Sequence, residues 1–194
     1  VSESTATGTV LATLEAIDQD LTSNISYYIF NSNPYSDMFT VDTVTGEVVL
    51  TGPLDRELVQ FHQLTVAVTD GGVESRKGYS RIIVQVEDTN DNKPVWPKDS
   101  LNLRVLEDTL PGSALTKLTA SDRDVADNGI VVYSIISGNG NSTFKIQPEL
   151  GIFQLAKILN WSETSEFLII VRARDCGCPR LSSDLTLYVT ILQS

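Results

Sequence analysis

The chain repeats itself, and the repeat limits how its core can be built. Setting "VSESTATGTVLATLEAIDQD" above "VLEDTLPGSALTKLTASDRD" pairs Glu3 with Glu107, Gly8 with Gly112, Asp18 with Asp122 and Asp20 with Asp124, all at an offset of 104. One or two inserted residues later the register continues, with Tyr27 on Tyr133, Phe39 on Phe144, Gly46 on Gly151, Leu54 on Leu159 and Asp70 on Asp175. Self-similarity at a fixed period means like units folded in tandem. A chain of 194 residues with 41% hydrophobic content can supply a packed core to each of two such units.

Within each copy the apolar residues alternate. "FTVDTVTGEVVL" offers Phe39, Val41, Val48 and Leu50, "HQLTVAVTD" offers Leu64, Val66 and Val68, and "RIIVQVED" offers Ile82, Val84 and Val86. Period two over short runs, broken by turn signals such as Thr45-Gly46 and Gly71-Gly72, reads as half-buried antiparallel strands, and helical patterning is nearly absent. The expected fold is all-β: two tandem seven-stranded Greek-key sandwiches of immunoglobulin-like topology, arranged end to end. Neither copy has the two distant cysteines and strand tryptophan that staple an antibody domain. Trp96 is expected to plug the core of the second copy, Trp161 aligns with Arg56, and the isolated His62 is expected at a strand edge rather than on a metal.

Charge narrows the partners. A net charge of −11 disfavours nucleic acid and anionic membrane surfaces, which call for clustered Lys and Arg. No apolar run approaches a membrane span, so any membrane attachment is expected through segments outside this sequence. "VSESTATGTV" lacks the basic and apolar regions of a signal peptide. Acceptor sequons for N-glycans occur at Asn24, Asn141 and Asn160, a feature of secreted chains.

The acidic residues that recur fall at strand ends and in loops. They are Glu3, the Asp18 and Asp20 pair, "LDRE" with Asp55 and Glu57, Asp70, the connector "EDTNDN" with Asp88 and Asp91, the Asp122 and Asp124 pair, and Asp175. If Glu3, Asp55, Glu57, Asp88, Asp91, Asp122, Asp124 and Asp175 converge, each carboxylate pair repels by roughly 0.8 kcal/mol at about 5 Å, even in a water-like dielectric. Order then requires cations. Carboxylate, amide and carbonyl oxygens without His or Cys favour Ca²⁺ over Zn²⁺, and three Ca²⁺ would offset six of those eight charges. Catalysis is not expected, because the carboxylates recur in both halves instead of forming one unequal pair in a cleft, and no G-x-S-x-G nucleophile motif is present. No small-molecule substrate is implied.

These motifs together resemble the cadherin superfamily: the acid of "SES", the A-x-D-x-D of "AIDQD" and "ASDRD", "LDRE", and the connector D-x-N-D-N-x-P. The resemblance implies cadherin repeats at 1–87, with a truncated first strand, and at 94–194, without its following linker, joined by a calcium-binding linker at 88–93. It implies three Ca²⁺ at the junction. One ion would take Glu3, Asp55, Glu57 and Asp91; a second Glu3, Glu57, Asp88, the Thr89 carbonyl, Asp91 and Asp124; a third Asn90, the Asn92 carbonyl, Asp122, Asp124, the Asn128 carbonyl and Asp175. The second repeat departs from the pattern with "LNWS", placing Asn160 and Ser162 where the first has Asp55 and Glu57, so its far pole should bind fewer ions. Asp18, Asp20 and Asp70 would form half of another junction, with weak occupancy or none.

What the resemblance implies for function is the extracellular part of a plasma-membrane glycoprotein. Ca²⁺ would stiffen its rod for homophilic or heterophilic recognition of another cadherin-type ectodomain, on the same or a different cell. The alternative is a spacer that holds adhesive repeats elsewhere at the right distance. No Trp precedes residue 96, so strand exchange of the classical type is not expected, and the likeness is closer to long nonclassical receptors of the Fat, Dachsous and protocadherin kind. Cys176-Gly177-Cys178 leaves free thiols, a tight bridge or a zinc site as choices; an oxidising compartment favours the bridge and the lack of a second Cys pair or His disfavours zinc.

Overall fold

The computed structural model describes residues 1–18, 24–32, 37–72 and 75–193. The chain forms two compact units, Val1–Thr89 and Asn90–Ser194. Both are all-β, and each keeps its own hydrophobic core.

In the first unit, β1 (Val10–Thr13), β4 (Glu47–Leu50) and β3 (Phe39–Val41) make one antiparallel sheet in the order β1-β4-β3. The other sheet, in the order β2-β5-β6, is built from β2 (Ser26–Ser32), β5 (Phe61–Thr69) and β6 (Lys77–Gln85). Ser2 bridges Glu87 in parallel, with the Glu3 amide on the Glu87 carbonyl at 3.0 Å and the Glu87 amide on the Val1 carbonyl at 2.8 Å. That pairing fixes Glu3 beside the end of the chain segment leaving β6.

The second unit has β7 (Ser100–Leu106), β8 (Ala114–Lys117), a single helical turn α1 (Ala126–Gly129), β9 (Val132–Ser137), β10 (Phe144–Ile146), β11 (Ile152–Leu155), β12 (Glu166–Arg174) and β13 (Ser182–Leu192). Its seven strands form sheets β7-β13-β12-β9 and β10-β11-β8, with β7 parallel to β13 and the other pairs antiparallel. Alternation in sequence becomes alternation in burial: along β12, Ile169, Val171 and Ala173 are fully buried. On β13 the inward set is Leu185, Leu187, Val189 and Ile191. Such pleat-matched faces close the core.

The duplication is visible in atomic detail. The Ala16 amide donates to the Tyr27 hydroxyl at 3.0 Å, and the Ala120 amide to the Tyr133 hydroxyl at 3.0 Å. Beneath each ring lies a glycine with positive φ, Gly46 at 71° and Gly151 at 67°. A Cβ at Gly151 would sit 2.1 Å from the Leu118 carbonyl oxygen and 3.2 Å from the Tyr133 ring, so both backbone conformation and space require glycine.

His62 corrects the strand-edge expectation. It lies on β5, the middle strand of its sheet, is 1% exposed, and meets Phe39 edge to face at 5.1 Å between ring centroids. In the second unit the aligned pair is Phe144 and Phe167, also edge to face, at 5.0 Å. The imidazole fills a slot shaped for a flat ring. Trp96 is buried in the core of the second unit, 5.6 Å from Tyr133 between centroids, as its sequence position suggested.

On the outer face of the second unit, Arg172 and Asp184 are cross-strand partners joined by two hydrogen bonds, from Nε at 2.8 Å and Nη2 at 2.9 Å. The Arg172 hydrogen bond holds the Asp184 carboxyl below its ordinary value, burial opposes that slightly, and the Arg172 charge adds to it. A carboxylate with a depressed folded pKa stabilises above its unfolded pKa and loses that contribution as pH falls through the folded value. Asp184→Asn is therefore expected to lower the melting temperature slightly at neutral pH and not at pH 2, with the difference fading in high salt because the pair is exposed. Thermal melts across pH and salt check this; a large or salt-independent loss would contradict it.

Candidate functional site

In the first unit, three loop segments bring acids together. Glu3 arrives beside Glu87, and the turn after Leu54 carries Asp55 and Glu57. Glu3, Asp55 and Glu57 each offer a carboxylate oxygen within 4.8 Å of the others. Glu3 is held in place by two amides, Arg56 N to Oε2 at 2.9 Å and Thr89 N to Oε1 at 2.6 Å, and is only 9% exposed. The Leu58 amide donates to Asp55 Oδ1 at 2.8 Å, which fixes the turn. Asp88 joins from the connector, where Arg56 Nε donates to its Oδ1 at 2.5 Å. Arg56 also pairs with Glu57 through Nη2. Burial pulls the Arg56 guanidinium down, but the Asp88 hydrogen bond and the charges of Glu57, Asp88 and Glu3 outweigh it and hold the group above its usual value.

The second unit gathers the other set. Asp175 is 1% exposed and accepts from the Gly177 and Leu181 amides on Oδ1, at 3.2 and 3.0 Å, and from the Leu181 amide and Asn90 Nδ2 on Oδ2, at 2.9 and 3.2 Å. Asn90 also donates to the Pro179 carbonyl at 2.5 Å. Asn92 donates through its amide and side chain to Asp124, at 3.2 and 2.7 Å, and its side chain reaches Asp91 at 2.7 Å. The Asp124 amide donates to Asp122 Oδ1 at 3.1 Å. A Cβ on Gly177 would lie 2.4 Å from the Asn90 amide carbon and 2.6 Å from Asn128 Oδ1, so Asn90, Asn128 and the 175–181 loop close on one spot. Burial, with the charges of Asp124 and Asp175, pushes the Asp122 carboxyl up against the pull of the Asp124 and Arg123 amides.

Two oxygens test whether a cation fits this set. Asn90 Oδ1 and Asp122 Oδ2 are buried without a hydrogen-bond partner. Buried acceptors normally find one. An all-oxygen donor set with acceptors to spare and mutually repelling carboxylates suits a hard divalent ion such as Ca²⁺.

Each unit thus holds its expected residues in one place: Glu3, Asp55, Glu57, Asp88 and Thr89 in the first, and Asn90, Asp91, Asn92, Asp122, Asp124, Asn128 and Asp175 in the second. Asp18 and Asp70 line an open groove on the first unit with Ala16, Ile17 and Arg76, and Asp20 lies outside the described residues. Asn160, Trp161 and Ser162 replace the acidic turn, and Trp161 is 42% exposed. Cys176 and Cys178 are unbridged, against the expectation of a bridge, and the three sequon asparagines are exposed. Sequence reasoning did not foresee the Arg56 ion pairs. The signal was in "LDRE", where a lone base sits between two acids.

With fold and site in view, the class is settled: a cadherin-domain profile matches residues 1–87 and 101–192, and the chain belongs to the cadherin family. It is 37% identical to Protocadherin Fat 1 of Homo sapiens over 195 residues and 35% identical to the Fat-like cadherin-related tumor suppressor homolog of Drosophila melanogaster over 196. Those alignments take in 98% and 100% of this chain but only 4% of each relative's length. Among solved structures, the extracellular cadherin domains 3–6 of Protocadherin Gamma B2 superpose with a TM-score of 0.84 at 29% identity, covering 100% of this chain and 49% of that one. The long nonclassical character expected from the motifs agrees with these relatives. Among the described residues, no helix is long and apolar enough to cross a membrane.

Proposed function

We propose that these residues are two calcium-binding repeats, 1–87 and 94–194 about a linker at 88–93, in the extracellular part of a plasma-membrane adhesion receptor. The observation that carries the reading is the donor set itself, with its buried acceptors Asn90 Oδ1 and Asp122 Oδ2. Bound Ca²⁺ would neutralise carboxylates that otherwise repel. Glu3, Asp55, Glu57, Asp88 and the Thr89 carbonyl are the ligands proposed from the first unit. Asn90, Asp91, Asp122, Asp124 and Asp175, with the Asn92 and Asn128 carbonyls, are those proposed from the second. Three ions is the number that the resemblance to cadherin repeats implies for such a set. A connector so held would keep the repeats stiff enough to present a face to another cadherin-type ectodomain.

Calorimetric Ca²⁺ titration tests the site. Asp91→Ala should lower both affinity and stoichiometry, whereas Asp184→Asn, which removes an acid from neither set, should leave both unchanged. Equal effects would sink the ligand assignment. Chelation should expose residues 88–92 to protease, and a connector equally resistant with and without Ca²⁺ would contradict the stiffening role. Sedimentation in Ca²⁺ addresses recognition: a calcium-dependent dimer supports homophilic adhesion by these repeats, and a persistent monomer assigns contact to another partner or a spacer role.

A further inference from the structure

Arg56 stands where a calcium-binding turn has least obvious use for it. Its side chain is 10% exposed, its Nε is on Asp88 Oδ1, its Nη2 is on Glu57, and its own amide donates to Glu3. Two carboxylates assigned above to Ca²⁺ are therefore already paired with a cation carried by the chain. We propose that Arg56 is a tethered counter-ion: it competes with Ca²⁺ for Glu57 and Asp88, sets the affinity of the first unit's site, and holds that site together when Ca²⁺ is scarce. The inference rests on the ligand reading of those two carboxylates.

The second unit supplies an internal control. There the Trp161 amide donates to Glu107 Oε1 at 2.8 Å, the same backbone contact that Arg56 makes with Glu3 at 2.9 Å. The turn is kept, yet Asn160 and Ser162 carry no charge and neither does Trp161. The guanidinium is present where the carboxylates are, and absent with them. A backbone role alone would not require this, since Trp161 performs it.

The competition follows from charge and geometry. A guanidinium makes directional, charge-assisted hydrogen bonds to carboxylates. It brings one positive charge to a place where Ca²⁺ would bring two, so the metal-free set keeps an acidic excess and still attracts the ion. Arg56 occupies one oxygen of each, Glu57 Oε1 and Asp88 Oδ1, so a metal that takes those oxygens, or draws the carboxylates toward itself, works against these bonds. Affinity is lowered by what those bonds contribute, and the metal-free unit is protected from the full repulsion among Glu3, Asp55, Glu57 and Asp88.

The test uses the whole chain, with Arg56→Met to keep the apolar stem and remove the charge, and Arg56→Lys to keep the charge and remove the fork. Calorimetric Ca²⁺ titration and thermal melts, in chelator and in saturating Ca²⁺, are the readouts. Arg56→Met should bind Ca²⁺ about tenfold more tightly, the worth of one charge-assisted hydrogen bond. It should melt lower than wild type in chelator and level with it in saturating Ca²⁺, with Arg56→Lys between the two in affinity. Unchanged or weaker Ca²⁺ binding by Arg56→Met overturns the competition, as does an unchanged melt in chelator. Wild-type protein that takes up no Ca²⁺ overturns the ligand reading itself, an outcome separable from uptake by wild type and variant alike. Should Arg56→Met fail to fold in chelator, Arg56→Lys decides: affinity equal to or below wild type overturns the competition.

Discussion

Phe153→Ala is expected to lower the unfolding free energy of the second unit by about 3–5 kcal/mol. Phe153 is fully buried on β11, the middle strand of its sheet, and stacks on Phe144 at 5.2 Å between centroids; Phe144 in turn takes the edge-to-face contact with Phe167. Truncation removes the transfer free energy of the ring and leaves a cavity that Phe144, held on its own strand and by Phe167, can close only in part. A domain stable by roughly 5–15 kcal/mol would lose a large share. Both tryptophans, Trp96 and Trp161, belong to the second unit, so urea unfolding followed by their fluorescence reads this unit. A loss under about 1 kcal/mol would mean that the stack closes over the gap far better than cores normally do.

The second large effect is expected at Asp175. Its carboxylate is buried and accepts from two backbone amides and from Asn90, so it organises the 175–181 loop before any cation is considered. Asp175→Ala leaves those donors facing a side chain that accepts nothing, and each unsatisfied buried group costs about 1–3 kcal/mol. Melting in chelator should therefore fall clearly, by more than for Asp175→Asn, which keeps one acceptor oxygen. Ca²⁺ affinity should fall for both variants because the charge is gone in each. If Asp175→Ala melts like wild type in chelator, the loop is held by something other than these hydrogen bonds.

Much of the fold could be read because its signals are periodic and occur twice. The alternation of Leu64 and Val66, or of Phe39 and Val41, is a local pattern that survives unchanged as buried faces. The Tyr27 and Gly46 pair could be matched to Tyr133 and Gly151 before either contact was known. His62 could not be placed this way. Its polarity argued for an edge, and only the three-dimensional slot shared with Phe167 shows that ring shape prevails there. At the candidate site, residue types and spacing pointed out the acids, and their turns are fixed by short-range hydrogen bonds such as Leu58 N to Asp55 and Asp124 N to Asp122; the contact of Thr89 N with Glu3, between residues far apart in the chain, follows from the fold. The Arg56 pairing was hidden for the opposite reason: a long side chain has many directions to take, and only the placement of Asp88 and Glu57 selects one. Cys176 and Cys178 show the limit of reading a compartment into a motif, since the unbridged loop still seats Asp175.

The parallel pairing of β7 with β13 has a mechanical meaning. These are the unit's first and last strands, and their ladder runs through seven aligned pairs from Ser100 and Thr186 to Leu106 and Leu192. Tension that enters at the start of β7 and leaves at the end of β13 pulls the two strands past each other along their length. The hydrogen bonds lie across that pull and share it, so they fail together and late. Had the strands been antiparallel, the same tension would open the ladder one rung at a time, and the unit would yield to a far gentler tug.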